Sequence, residues 1–256
     1  MPQKRVIIAG LVVSLAISAI LLAYHIHRGL GATYTRENNN STLGATKPRC
    51  AIIDGLSEAY PNDYLLRSLE SMLKKAGCIV DVYRGPNASL DVFKRLTDYT
   101  IVVMRIHGGF MGKGQVAGIF TGVPWSRKYV TLARKGYVAE GIPFYPPPRG
   151  PKVFVALLPK FFAREMKGRF PSRAIVIAGG CFTAKTTAIA ESLCSKGLWL
   201  YIGFPKKIML NRLDKVLPKL LSAAIDARKE GDISVIEKLG EQVGAKVINC
   251  AKNSHS

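Results

Sequence analysis

Two short stretches hold side chains suited to nucleophilic chemistry: "RIHGG", Arg105 to Gly109, and "AGGCFTAKT", Ala178 to Thr186. A cysteine thiolate attacks acyl carbons once a base has taken its proton, and imidazole is the usual base at neutral pH. Of the four histidines, His25 and His27 adjoin an apolar N-terminal run and His255 is the penultimate residue, so His107 alone falls in the body of the chain. His107 and Cys181 are therefore the candidate dyad, with the N–H groups of Gly108 and Cys181 as candidate donors to an oxyanion. The second stretch has a competing reading. Gly179 to Thr186 reads G-x-x-x-x-A-K-T, one residue from a phosphate-binding loop in which Lys185 and Thr186 would meet phosphate and magnesium. Against it, Ala184 stands where glycine is needed for close backbone approach, and the next strand, "LWLYIGF", ends without an acidic residue for the metal.

These residues need a scaffold that brings them together. From Cys50 onward, short β-branched runs alternate with amphipathic segments, the pattern of a mostly parallel sheet covered by helices on both faces. Strands are expected at Cys50–Asp54, Cys78–Tyr83, Tyr99–Ile106, Arg173–Ala178 and Leu198–Phe204. Helices are expected after Asn62 or Asp63, after Ser89, around Pro159–Met166, from about Thr186 to Lys196, and at Leu210–Lys229 and Ile233–Gly244. Residues 111–151, rich in Gly and Pro, read as an insertion of hairpin pieces and loop, placed to act as a lid; the C-terminal part reads as a helical tail. Functional groups in such sheets gather at the carboxyl ends of strands. Three ends stand out: Asp54-Gly55, His107-Gly108-Gly109 and Gly179-Gly180-Cys181.

The composition narrows the classes. With 256 residues and 48% apolar content the chain can build a sizeable core. Its 37 Lys and Arg against 17 Asp and Glu make it basic, yet no aromatic RNA-binding motif, basic-region helix or zinc-finger spacing accompanies the charge, so no specific nucleic-acid partner is expected. Five cysteines at irregular spacing, with no Cys-x-x-Cys, argue against a disulfide framework. Cys50, Cys78, Cys194 and Cys250 read as small buried residues. Neither metal nor cofactor is expected.

Val6 to Tyr24 is an uncharged apolar run of nineteen residues. At about 1.5 Å per residue it nearly matches a hydrocarbon core of roughly 30 Å. Residues 1–28 thus read as one transmembrane helix, 29–48 as a polar linker and 49–256 as the α/β domain. Asn-x-Ser/Thr sequons at Asn39 and Asn40 in the linker, and at Asn87, favour an extracellular domain.

"IVVMRIHGG" and "AIVIAGGC" together resemble the hallmark segments of the caspase-like (clan CD) cysteine peptidases, in which one apolar strand ends in His-Gly and a later one in a small residue and the nucleophilic Cys. The resemblance covers roughly residues 48–204, and the region from "MKGRF" to "LWLYIGF" is similar to uncharacterised archaeal proteins of this kind. It implies a three-layer α/β sandwich, a His107/Cys181 dyad and a peptide or protein substrate. Family members that cut after Arg or Lys carry an acidic residue in the specificity pocket, which assigns that role to Asp54. The chain departs from caspases in having Gly179-Gly180 before the cysteine and Phe182-Thr183 after it. The alternative is a caspase-like module that binds without catalysing.

Overall fold

The computed structural model describes residues 47–111, 116–144 and 147–251. Ten strands and seven helices occur among them in the order β1 (Arg49–Asp54), α1 (Asp63–Lys75), β2 (Ile79–Arg84), α2 (Leu90–Lys94), β3 (Ile101–Arg105), β4 (Gly108–Met111), β5 (Val116–Pro124), α3 (Val130–Arg134), β6 (Val138–Gly141), β7 (Phe154–Leu157), α4 (Pro159–Arg164), β8 (Ile175–Gly179), α5 (Ala188–Cys194), β9 (Leu200–Gly203), α6 (Leu210–Glu230), α7 (Ser234–Val243) and β10 (Lys246–Asn249). The expected membrane span and linker lie outside the described residues, within which no helix is long and apolar enough to cross a membrane.

The main sheet has the order β10-β9-β8-β3-β1-β2, parallel except for β10, which runs antiparallel to β9. The central strands are apolar at every position because both faces are covered. On β3, Ile101 and Val103 join one core with Leu66 and Leu69 of α1 and Leu217 and Leu220 of α6. Val102 and Met104 point the other way, into a core with Phe161 and Phe162 of α4 and Ile189 of α5. The α/β reading with helices on both faces holds.

Local signals explain where helices start and stop. Asn62 accepts the Leu65 N–H through its side chain and so caps α1, whose Leu65, Leu66, Leu69 and Leu73 make the buried stripe. Ser89 does stand at the N-cap of α2, but its side chain makes no capping bond.

Three expectations need correction. Residues 111–151 keep the hairpin pieces expected of them, but their described part is more regular than an insertion: β5 and β6 join β4 and β7 in a second, antiparallel sheet, β4-β5-β7-β6, and Ile119, Val138, Val155 and Leu157 belong to the main core. The C-terminal part is not all helix, because β10 closes the β9 edge of the sheet. Finally, four cysteines are paired, Cys50 with Cys78 and Cys194 with Cys250. Sequence spacing hid these pairs because partners are set by strand neighbours: Cys50 lies on β1 and Cys78 just precedes β2, its parallel neighbour. Cys181 is the free thiol.

Candidate functional site

Strands β3 and β8 are parallel neighbours, Ile101 opposite Ile175 through Arg105 opposite Gly179. Their carboxyl ends therefore emerge side by side, and His107 and Cys181 line one cavity of about 290 Å³. The close approach of these two ends dictates the glycines. A Cβ on Gly108 would lie 2.2 Å from the Cys181 carbonyl oxygen, and one on Gly180 would lie 2.6 Å from that of Ile106. Glycine is needed there so that the two turns can touch. Gly108 also lines the cavity, so both candidate oxyanion donors border it.

The turn carrying the thiol is fixed by Phe182 and Thr183. Phe182 has φ of 61°, a left-handed backbone uncommon outside glycine, which turns the chain sharply after Cys181. Thr183, fully buried, supports that turn: its hydroxyl donates to the carbonyls of Ala178 (2.8 Å) and Gly180 (3.1 Å) and accepts from the Phe204 N–H (3.0 Å). The loop between β9 and α6 wraps the thiol from the other side. Cys181 Sγ donates to the Ile208 carbonyl and accepts from the Ile208 N–H, both at 3.4 Å, while the Phe182 N–H donates to Lys206. In this state the thiol is bonded to backbone and not to His107.

His107 sits among aromatic rings, 5.6 Å from Phe154, 6.3 Å from Phe120 and 6.4 Å from Tyr60 between centroids. Its Nε2 is buried without a hydrogen-bond partner. Burial, and then the positive charge of Arg105, lower its pKa from 6.5 to about 4. The imidazole is therefore neutral at pH 7 and can accept a proton, though a base of that strength is weak.

Asp54 stands at the end of β1, as the sequence suggests, but is fully buried and does not line the cavity. One of its oxygens accepts from Arg105 (3.0 Å) and from the Leu56 N–H (3.1 Å). Arg105, 1% exposed, also grips Asp214 of α6 with two bonds, of 2.7 and 3.0 Å, and Asn62 completes the group by donating to Asp214. Burial pushes the Asp54 carboxyl above its usual value, with Arg105 opposing that rise. Arg105 thus ties β1, β3 and α6 together, a role that sequence reasoning missed. The one available signal was a charge inside "IVVMRI", where burial demands a carboxylate partner.

The phosphate-loop reading finds little support in the geometry. The N–H groups of Gly180, Phe182, Ala184 and Lys185 donate to carbonyls of the chain itself, and Thr186 Oγ1 is buried. The Lys185 ammonium lies 4.7 Å from the Phe110 ring centroid and 5.7 Å from that of Phe182. Among the described residues, no group of three His, Cys, Asp or Glu side chains could hold a metal ion.

No protein-family model matches the chain, and no curated protein matches it.

Proposed function

We propose that the chain is a cysteine peptidase of the caspase-like kind, with Cys181 as nucleophile and His107 as general base. The observation that carries this reading is that neighbouring parallel strands deliver the free thiol and the histidine to one cavity. In the reaction, Sγ bonds to the carbonyl carbon of the scissile peptide while the thiol proton passes to His107. The imidazolium then gives that proton to the departing amine, leaving a thioester. Water, deprotonated by His107, hydrolyses the thioester and restores the thiol. The N–H groups of Gly108 and Cys181 are assigned to the oxyanion. Sγ must first leave the Ile208 backbone, so its bonded state is a resting one. The reading includes Val6–Tyr24 as a single-pass anchor with the domain outside; the two disulfides support that side, since such bonds persist in oxidising compartments.

The test is covalent labelling with a peptide acyloxymethyl ketone, followed by intact mass and peptide mapping. Label is expected on Cys181, with His107→Ala slowing it by about a hundredfold or more. An unchanged rate in that variant refutes the dyad. A second reading, a non-catalytic binding module, is favoured by the two bonds between Sγ and the Ile208 backbone and by the sealed Nε2. It predicts that peptide ketones leave Cys181 unmodified.

A further inference from the structure

We infer that the cavity beside Cys181 receives a large apolar side chain of the substrate, aliphatic or aromatic, next to the bond that is cut; this rests on the peptidase reading. Its wall is built from Leu56, Ile106, Ile208, Leu210 and Leu213, and no carboxylate lines it. Asp54 and Asp214, close in the chain to the lining residues Leu56 and Leu213, are already committed elsewhere. Asp54 is buried against Arg105 and the Leu56 N–H, and Asp214 holds the other two nitrogens of the same guanidinium. A substrate Arg or Lys entering this space would lose its hydration without gaining a partner, a large penalty. Lys207, which also lines the cavity with its ammonium 4.2 Å from the Phe144 ring centroid, adds repulsion against a basic side chain.

Size and rim agree with this occupant. About 290 Å³ falls just below the roughly 300–1,000 Å³ of sites that enclose whole small molecules, and suits one side chain. Phe144 and Met209, which border the opening, are 69% and 55% exposed. Large apolar groups exposed beside a concave site are what a substrate covers on binding.

The test uses the full-length protein and three tripeptidyl acyloxymethyl ketones that differ only in the residue next to the ketone: Leu, Arg or Asp. The rate constant for modification of Cys181 is read by intact mass. Leu is expected to exceed Arg and Asp by about tenfold or more. An Arg or Asp probe that reacts as fast as Leu overturns the inference. Met209→Asp sharpens the result. Met209 precedes α6 in the N-cap position with extended backbone, where Asp is well tolerated. The variant is expected to raise the Arg-to-Leu rate ratio by about tenfold, and an unchanged ratio counts against the assigned pocket. If iodoacetamide alkylates Cys181 but none of the three ketones does, the peptidase reading itself fails and takes the pocket assignment with it. Failure of specificity alone shows as ketones that all react with the wrong order of rates.

Discussion

Arg105 and His107 are two residues apart at one strand end, and the fold treats them in opposite ways. Arg105 is wrapped in partners: three of its nitrogens reach two carboxylates, tying β1, β3 and α6 together, and Asn62 extends the group to α1. His107 has rings around it and no partner for its buried nitrogen. The difference separates a group kept charged by its partners from a group kept neutral by burial without one, the state in which the proposed base could take a proton. Burial alone accounts for neither outcome; what surrounds each group decides.

The comparison breaks most visibly at Arg105. Arg105→Met removes the cation between two carboxylates, one of them fully buried, and is expected to cost about 3–5 kcal/mol in urea denaturation at pH 7. A loss below about 1 kcal/mol would mean the network holds nothing together.

Acid sharpens the His107 side. Its folded pKa, about 4, lies below the unfolded 6.5, so the unfolded chain binds the extra proton first. Stability from keeping this ring neutral is fully present above pH 6.5 and is lost as pH falls toward 4, amounting to about 3 kcal/mol. Asp54, whose pKa is raised, works in the opposite sense within the acid range. The measurement is therefore the difference between wild type and His107→Phe, each unfolded in urea at pH 7 and pH 4. Wild type should lose more by about that amount, and parallel losses would show that folding does not lower the pKa of this ring. In peptide hydrolysis, the acid limb of kcat/KM is expected near pH 4 and not near 6.5.

Lys185 is the weakest case near the site, exposed and resting on two aromatic faces. Lys185→Ala should cost below about 1 kcal/mol. Magnesium nucleotide should shift the melting temperature of neither form. A shift seen in wild type and lost in the variant would revive the phosphate loop.

Much of this arrangement was legible from residue order. Apolar runs ending in His-Gly and Gly-Gly-Cys located the two strand ends, and parallel sheet logic put them at one edge. What stayed hidden depends on pairing at long range. Nothing in the sequence says that Ile208, beyond β9, would hold the Cys181 sulfur. The partner of Asp54 was equally out of reach, because Arg105 comes opposite it only through the pairing of β1 with β3, and Asp214 joins them only through the packing of α6 on the sheet. The strand Phe154–Leu157 escaped notice because it is four residues long and flanked by loop-like composition, and its strand character comes from β5 and β6 on either side. The glycines were visible, but not the backbone atoms of the neighbouring strand end against which they pack.

The disulfides carry a consequence for how the molecule is made. The conditions that join Cys50 to Cys78 and Cys194 to Cys250 are hostile to any exposed thiol, and a fifth cysteine invites wrong partners during oxidation. Maturation must therefore be selective, with four sulfurs oxidised and one spared. The Ile208 backbone, which engages both hydrogen-bonding capacities of Cys181 Sγ, gives the finished molecule a means of sparing it. On this view the same two bonds that hold the thiol in place also keep it reduced over the lifetime of the protein, whatever its use.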